Sequence, residues 1–202
     1  MMPFADWAGL TGLALVWLLL ALRLPYARRL SPVRRAALVA GIYALVMIPV
    51  FGLSLAGWLR GMVGDLSITS VLLLGSALIM RLNPAMGGVW DARERGALLM
   101  FVSGMALLLY PFALGWGPLD PYRSGYGSIG LFVMLALLAL WALRHRLTLL
   151  PLAIASAIAG WSFACYESTN LWDYLIDAPL AIYALWVTIK VNLQHALRRK
   201  RV

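Results

Sequence analysis

The chain has 202 residues, of which 63% are hydrophobic and 12% charged, and carries a formal net charge of +9. Soluble domains are nearer half apolar and a quarter charged, so this composition excludes an ordinary soluble fold and points to a membrane protein. A spanning helix takes about 20 mostly apolar residues, so the length holds about six or seven spans and leaves no room for a separate soluble domain.

In chain order, apolar segments lie at about 7–24, 37–58, 66–82, 96–114, 128–143, 147–166 and 174–194. They predict an all-α, polytopic membrane protein: one seven-helix transmembrane bundle over residues 1–202, with a basic tail at 195–202. The first segment has no basic residue before it and Arg23, Arg28, Arg29, Arg34 and Arg35 after it, the pattern of an N-out signal anchor without cleavage. Segment two contains Pro49 and ends near Arg60; segment three opens at Asp65 and Ser67 and closes at Arg81. Asn83-Pro84-Ala85-Met86-Gly87-Gly88 reads as a turn, after which Asp91 and Arg95 form an i,i+4 pair and Glu94 a first-turn acid. Segment four contains Pro111. The next loop, Gly115 to Gly127, holds Trp116, Asp120, Tyr122 and Arg123, its Asp-Pro-Tyr-Arg run has type I turn composition, and its aromatic content predicts an ordered cover. Segment five starts at Ser128, segment six ends at Glu167, and segment seven carries Asn170, Trp172, Asp173, Asp177 and Pro179 at its entry.

Counting Lys and Arg in alternate loops gives fifteen on one side, against Arg60 and Arg123 on the other. The positive-inside rule then places the N-terminus outside and the C-terminus in the cytoplasm. Six of the acids, Asp6, Asp65, Asp120, Glu167, Asp173 and Asp177, fall outside. Capping and the helix dipole account for Asp6, Asp65 and Asp173. Asp177 would lie a further turn down, about 6 Å deeper, too deep to be a cap, on an inward face with Asn170, Asp173, Tyr174, Ala181 and Ala184. Leu171, Leu175, Ile182 and Trp186 would face lipid. Intramembrane carboxylates commonly mark an ion, proton or substrate path. Either Asp177 pairs with a base, with Arg123 the leading partner and Arg60 the second, or it binds a ligand or proton.

The candidate ligand or substrate residues are therefore Asp173, Asp177, Glu167, Asp120, Arg123, Asp65, Arg60, Trp116, Tyr122 and Trp172. No cofactor is predicted, although the external carboxylates could take a divalent cation. The single cysteine, Cys165, excludes an internal disulfide and a CxxC motif. His145 and His195 fall at helix ends, which speaks against haem between helices. Lys190 lies near the end of the last segment rather than at mid-depth, which excludes a rhodopsin-like retinal site.

Beyond the basic charge there is no nucleic-acid signature. The partners expected are the lipid bilayer and a membrane protein or lipid-linked substrate. The leading expectation is an accessory or transport component of cell-envelope assembly, in a bacterial inner membrane. The alternatives are an intramembrane enzyme acting on a lipid-linked sugar or phosphate, and a cation-coupled transporter using Asp177.

Overall fold

A computed structural model describes residues 4–84 and 87–199, and its regular structure is helical throughout apart from one isolated bridge, Val50 to Leu53. The helices are α1 (Phe4–Ala21), α2 (Pro25–Arg28), α3 (Pro32–Met47), α4 (Leu55–Val63), α5 (Ile68–Leu82), α6 (Ala92–Ala113), α7 (Ile129–Arg144), α8 (Leu149–Ser162), α9 (Trp172–Leu175) and α10 (Ala178–Arg199), with a 3-10 helix at Pro121–Gly125. Among the described residues two helices, α1 and α6, are long and apolar enough to cross a membrane. Residues 85 and 86 of the expected turn and 200–202 of the expected tail lie outside the described residues; α10 runs on to Arg199, so the tail does not separate at 195.

The expected second segment is not one helix. Pro49 drives the preceding Ile48 into extended backbone (φ −69°, ψ 124°) and ends α3. Phe51 (φ 54°) and Gly52 (φ 91°) then form a tight turn with positive φ at both central positions, and Val50 and Leu53 exchange backbone hydrogen bonds across it. The chain re-enters helix at α4, capped by Ser54 Oγ accepting from the Gly57 N–H at 3.0 Å.

Three other helices end by a shared device. After α6, α7 and α8 the residue beyond the C-cap turns left-handed: Gly115 (φ 88°), Arg146 (φ 57°) and Ala164 (φ 48°). The following N–H then reaches five residues back, Trp116 to the Pro111 carbonyl, Leu147 to Ala142 and Cys165 to Gly160. The α8 stop corrects the expected end at Glu167, which sits exposed in the loop five residues past Ser162.

The main core joins Leu98, Val102, Ala106 and Leu109 of α6 to Leu180, Ala181 and Ala184 of α10, Ala153, Ile154 and Ala157 of α8 and Leu135 of α7. Small residues on α8 permit the close approach: a Cβ on Gly160 would sit 3.0 Å from Ile68 Cγ1 and 3.3 Å from the Tyr174 ring. A smaller cluster, Leu10, Leu13, Ala56 and Leu66, joins α1 and α4 to the entry of α5. The outward faces are apolar too, with Ile129, Val133, Leu137 and Leu140 exposed along α7 and Ile182, Trp186, Ile189 and Leu193 along α10.

Helix ends gather at two poles. At one, the starts of α1, α5 and α10 meet around Asp6, Arg60, Asp65 and Asp177. At the other, Glu94 at the start of α6 accepts from the N–H (2.9 Å) and hydroxyl of Thr148, just before α8, and Arg35 Nη1 donates to the Arg81 carbonyl at 2.7 Å. Those Thr148 donors hold the Glu94 carboxyl below its ordinary range. Asp91 caps α6 by accepting from the Glu94 N–H at 2.7 Å. The expected Asp91–Arg95 ion pair does not form: both salt bridges among the described residues belong to Arg60.

Candidate functional site

The acidic pole is built from helix starts. Asp177 stands immediately before α10, and its Oδ1 accepts from the Leu180 N–H at 2.7 Å, the geometry of an N-cap. Its Oδ2 reaches the start of α5, where it accepts from the Ser67 N–H (2.8 Å), the Ser67 hydroxyl (2.7 Å) and the Ser70 hydroxyl (2.5 Å). One buried carboxylate therefore ties two helix N-termini, each favouring negative charge. This corrects the expectation that Asp177 lies too deep to cap. Ile176 is extended (φ −145°, ψ 141°), so 170–177 is a short turn of helix followed by a break, and α10 starts at Ala178. Pro179 consequently falls in the first turn, where no N–H partner is lost, and does not kink the helix. The same break turns Leu171 and Leu175 inward, each 1% exposed, while Ile182 and Trp186 do face out.

Arg123 is not the partner of Asp173 or Asp177. It is exposed and makes no ion pair among the described residues. Asp173 instead accepts from the Tyr122 hydroxyl on both oxygens (2.9 and 2.8 Å) and from the Ser168 hydroxyl (2.5 Å). Burial, and then the hydrogen bond to Asp173, push the Tyr122 hydroxyl well above the usual tyrosine range, so it stays a neutral donor.

Arg60 is the base of this pole. Its Nε and Nη2 grip Asp65 at 2.7 and 2.9 Å, and Nη1 holds Asp6 at 2.7 Å, with the Asp65 bond contributing most to a raised guanidinium pKa. Asp65 is thus an ion-pair partner, and the cap on α5 comes from Ser67 Oγ, which accepts from the Ser70 N–H at 3.2 Å. The fork lies against α1 at Gly9, where a Cβ would come within 2.1 Å of Asp65 Oδ1.

The 115–127 loop is ordered, as its composition suggested, although the Asp-Pro-Tyr-Arg run opens a 3-10 helix, with Asp120 accepting from the Arg123 N–H at 3.2 Å. That helix is stitched to 170–172: the Leu171 N–H donates to the Gly125 carbonyl (2.9 Å), Asn170 Nδ2 to the Tyr122 carbonyl (2.9 Å), and Trp172 Nε1 to Ser124 Oγ (3.1 Å). Trp172 and Asn170 are fully buried here and serve the fold; Trp116 and Asp120 are exposed and stand apart.

What the fold brings together is a cavity of about 270 Å³ lined by Asp65, Asp173 and Asp177 with Tyr110, Tyr166 and Ser168. Glu167 and Asp120 are not among its walls. Tyr110, Tyr166 and Ser168 are not among the candidate ligand residues, although the two tyrosines belong to the aromatic excess at this boundary; Tyr166 is placed by stacking on Tyr174, ring centroids 5.1 Å apart. Among the described residues no three His, Cys, Asp or Glu side chains group as metal ligands. The cavity is therefore an acceptor-rich, aromatic recess with no base among its described walls; Arg60 reaches Asp65 from outside it and is shared between Asp65 and Asp6. Set against known protein families, curated proteins and solved structures, the chain matches none.

Proposed function

We propose that the protein is a multi-pass membrane protein of a cell envelope, its seven apolar segments crossing with the N-terminus outside and the C-terminus in the cytoplasm. In this reading it is an accessory or transport component of lipid or glycan assembly. Its acidic cavity faces the extracytoplasmic side and receives a small cation, such as the ammonium headgroup of a lipid. Support for membrane placement comes from the outward apolar faces of α7 and α10 and the fifteen-to-two division of basic residues.

The observation that carries the binding reading is the company of Asp173 and Asp177 in one aromatic-walled recess with no base of their own. An ammonium group there gains carboxylate contact and a tyrosine face. The same recess suits an anion poorly, since a phosphate would meet Asp65, Asp173 and Asp177 and no guanidinium among the described walls. That favours cation binding over an enzyme acting on a lipid-linked phosphate. The four donors on Asp177 occupy the acceptor sites that a proton carrier would have to release, which favours a binding role over a coupled-transport role.

The test is a titration of the detergent-solubilised chain with choline and ethanolamine, and with glycerol phosphate as the anionic control, read by intrinsic fluorescence. The cations bind and the anion does not; Asp173→Asn weakens cation binding by about tenfold, the equivalent of about 1.4 kcal/mol. Equal response to cation and anion, or indifference to Asp173→Asn, would overturn the reading.

A further inference from the structure

The basic pole holds a second cavity, of about 390 Å³, formed where the end of α1, the end of α5 and the start of α6 meet α10. Its walls include three arginines, Arg23, Arg81 and Arg95, together with Trp90, and an apolar slot that includes Leu73 and Leu99. Among the described residues no carboxylate lines it. The two acids of this pole are committed elsewhere: Asp91 caps α6, and Glu94 is held by Thr148. Arg23 and Arg95 make no ion pair among the described residues. Trp90 forms part of the wall, and among the described residues its buried indole N–H has no hydrogen-bond partner, an unmet donor at the cavity. From Leu73 to Arg81 the slot runs along about 12 Å of helix at 1.5 Å per residue, graded from hydrocarbon to guanidinium.

We propose that this cavity binds one anionic phospholipid, with its phosphodiester among Arg23, Arg81, Arg95 and the Trp90 N–H and an acyl chain against Leu73 and Leu99. Guanidinium groups pair with phosphate oxygens through charge-assisted hydrogen bonds, and the indole supplies a neutral donor beside them. The apolar wall gives a lipid an advantage over free phosphate. The site requires the membrane placement proposed above but is independent of the acidic cavity.

Fractionation of expressing cells comes first: a chain recovered in the soluble fraction removes the membrane reading and this site with it. The membrane-extracted full chain is then examined by native mass spectrometry against dioleoyl phosphatidylglycerol, dioleoyl phosphatidylcholine and inorganic phosphate. One phosphatidylglycerol is retained in preference to phosphatidylcholine by about tenfold, because the guanidiniums that hold either phosphodiester repel the choline ammonium of the latter. The Arg23→Gln/Arg95→Gln double variant loses that preference while its thermal midpoint in lipid-free detergent is unchanged. Trp90→Phe, which keeps the ring and removes the donor, weakens retention several-fold. Equal retention of the two lipids, or a preference that survives the double variant, overturns the lipid site alone. Displacement of the lipid by inorganic phosphate at matched concentration overturns it in favour of a free anion.

Discussion

At the scale of single residues, Asp177 joins the starts of α5 and α10 through four hydrogen bonds. Asp177→Asn replaces one acceptor oxygen with a donor that faces other donors. The expected loss is about 2–3 kcal/mol, the range for hydrogen bonds to a charged group, measured as a lowered thermal midpoint in detergent. Asp173→Asn keeps an acceptor for Tyr122 and Ser168 and is expected to cost less than half of that. Tyr122 adds a pH dependence with a definite sign. Its pKa is raised on folding, by burial and then by Asp173, so its contribution is intact below the unfolded tyrosine value of about 10 and is lost as pH climbs beyond it. Tyr122→Phe should therefore lower the midpoint at neutral pH and flatten its fall above pH ~10; an unchanged alkaline slope would contradict this. The sequence singled out Asp177 and Arg60 because charge at an apolar boundary is costly. It could not supply their partners: Ser67 lies 110 residues from Asp177, and a serine before an apolar run reads as an ordinary cap.

Elements explain the misplaced partners. Starting the last segment at about residue 174 rather than at Ala178 buried Asp177 a turn too deep and aimed it at Arg123. The break is made by Ile176, a residue with no breaking signal of its own, so periodicity ran straight through it. The helix stops were legible unevenly. Gly115 announced one, but Ala164 and Arg146 hold left-handed backbone without glycine, so the end of α8 was set several residues late. Ala164→Gly should relieve that conformation and stabilise the chain by roughly 0.5–1 kcal/mol, seen as a raised thermal midpoint; destabilisation would mean the α8 stop is drawn wrongly. Pro49 falls inside the expected second segment and is a full break, because the positive φ of Phe51 and Gly52 carries the chain round into α4. Gly125→Ala probes the stitched loop: its Cβ would fall 1.7 Å from Asn170 Oδ1, so the variant should lose the 3-10 helix contact and become protease-sensitive between residues 115 and 127.

For the whole molecule, apolar run length carried the reading furthest, since it sums over many residues and survives errors of a few positions. It foresaw an all-helical chain, and among the described residues helix ends collect at an acidic and a basic pole. Which acids share a cavity was not legible, because Asp65, Asp173 and Asp177 converge only through long-range packing of α5 against α8 and α9. The proposal ties these poles to opposite faces of a membrane. The direct measurement is labelling with a membrane-impermeant maleimide in intact cells. Two single-cysteine variants in a Cys165→Ser background serve: Glu167→Cys beside the acidic cavity and Asn83→Cys at the basic end, both at exposed positions. Glu167→Cys should label in intact cells and Asn83→Cys only after permeabilisation. Labelling of both without permeabilisation, or the reverse order, would contradict the account.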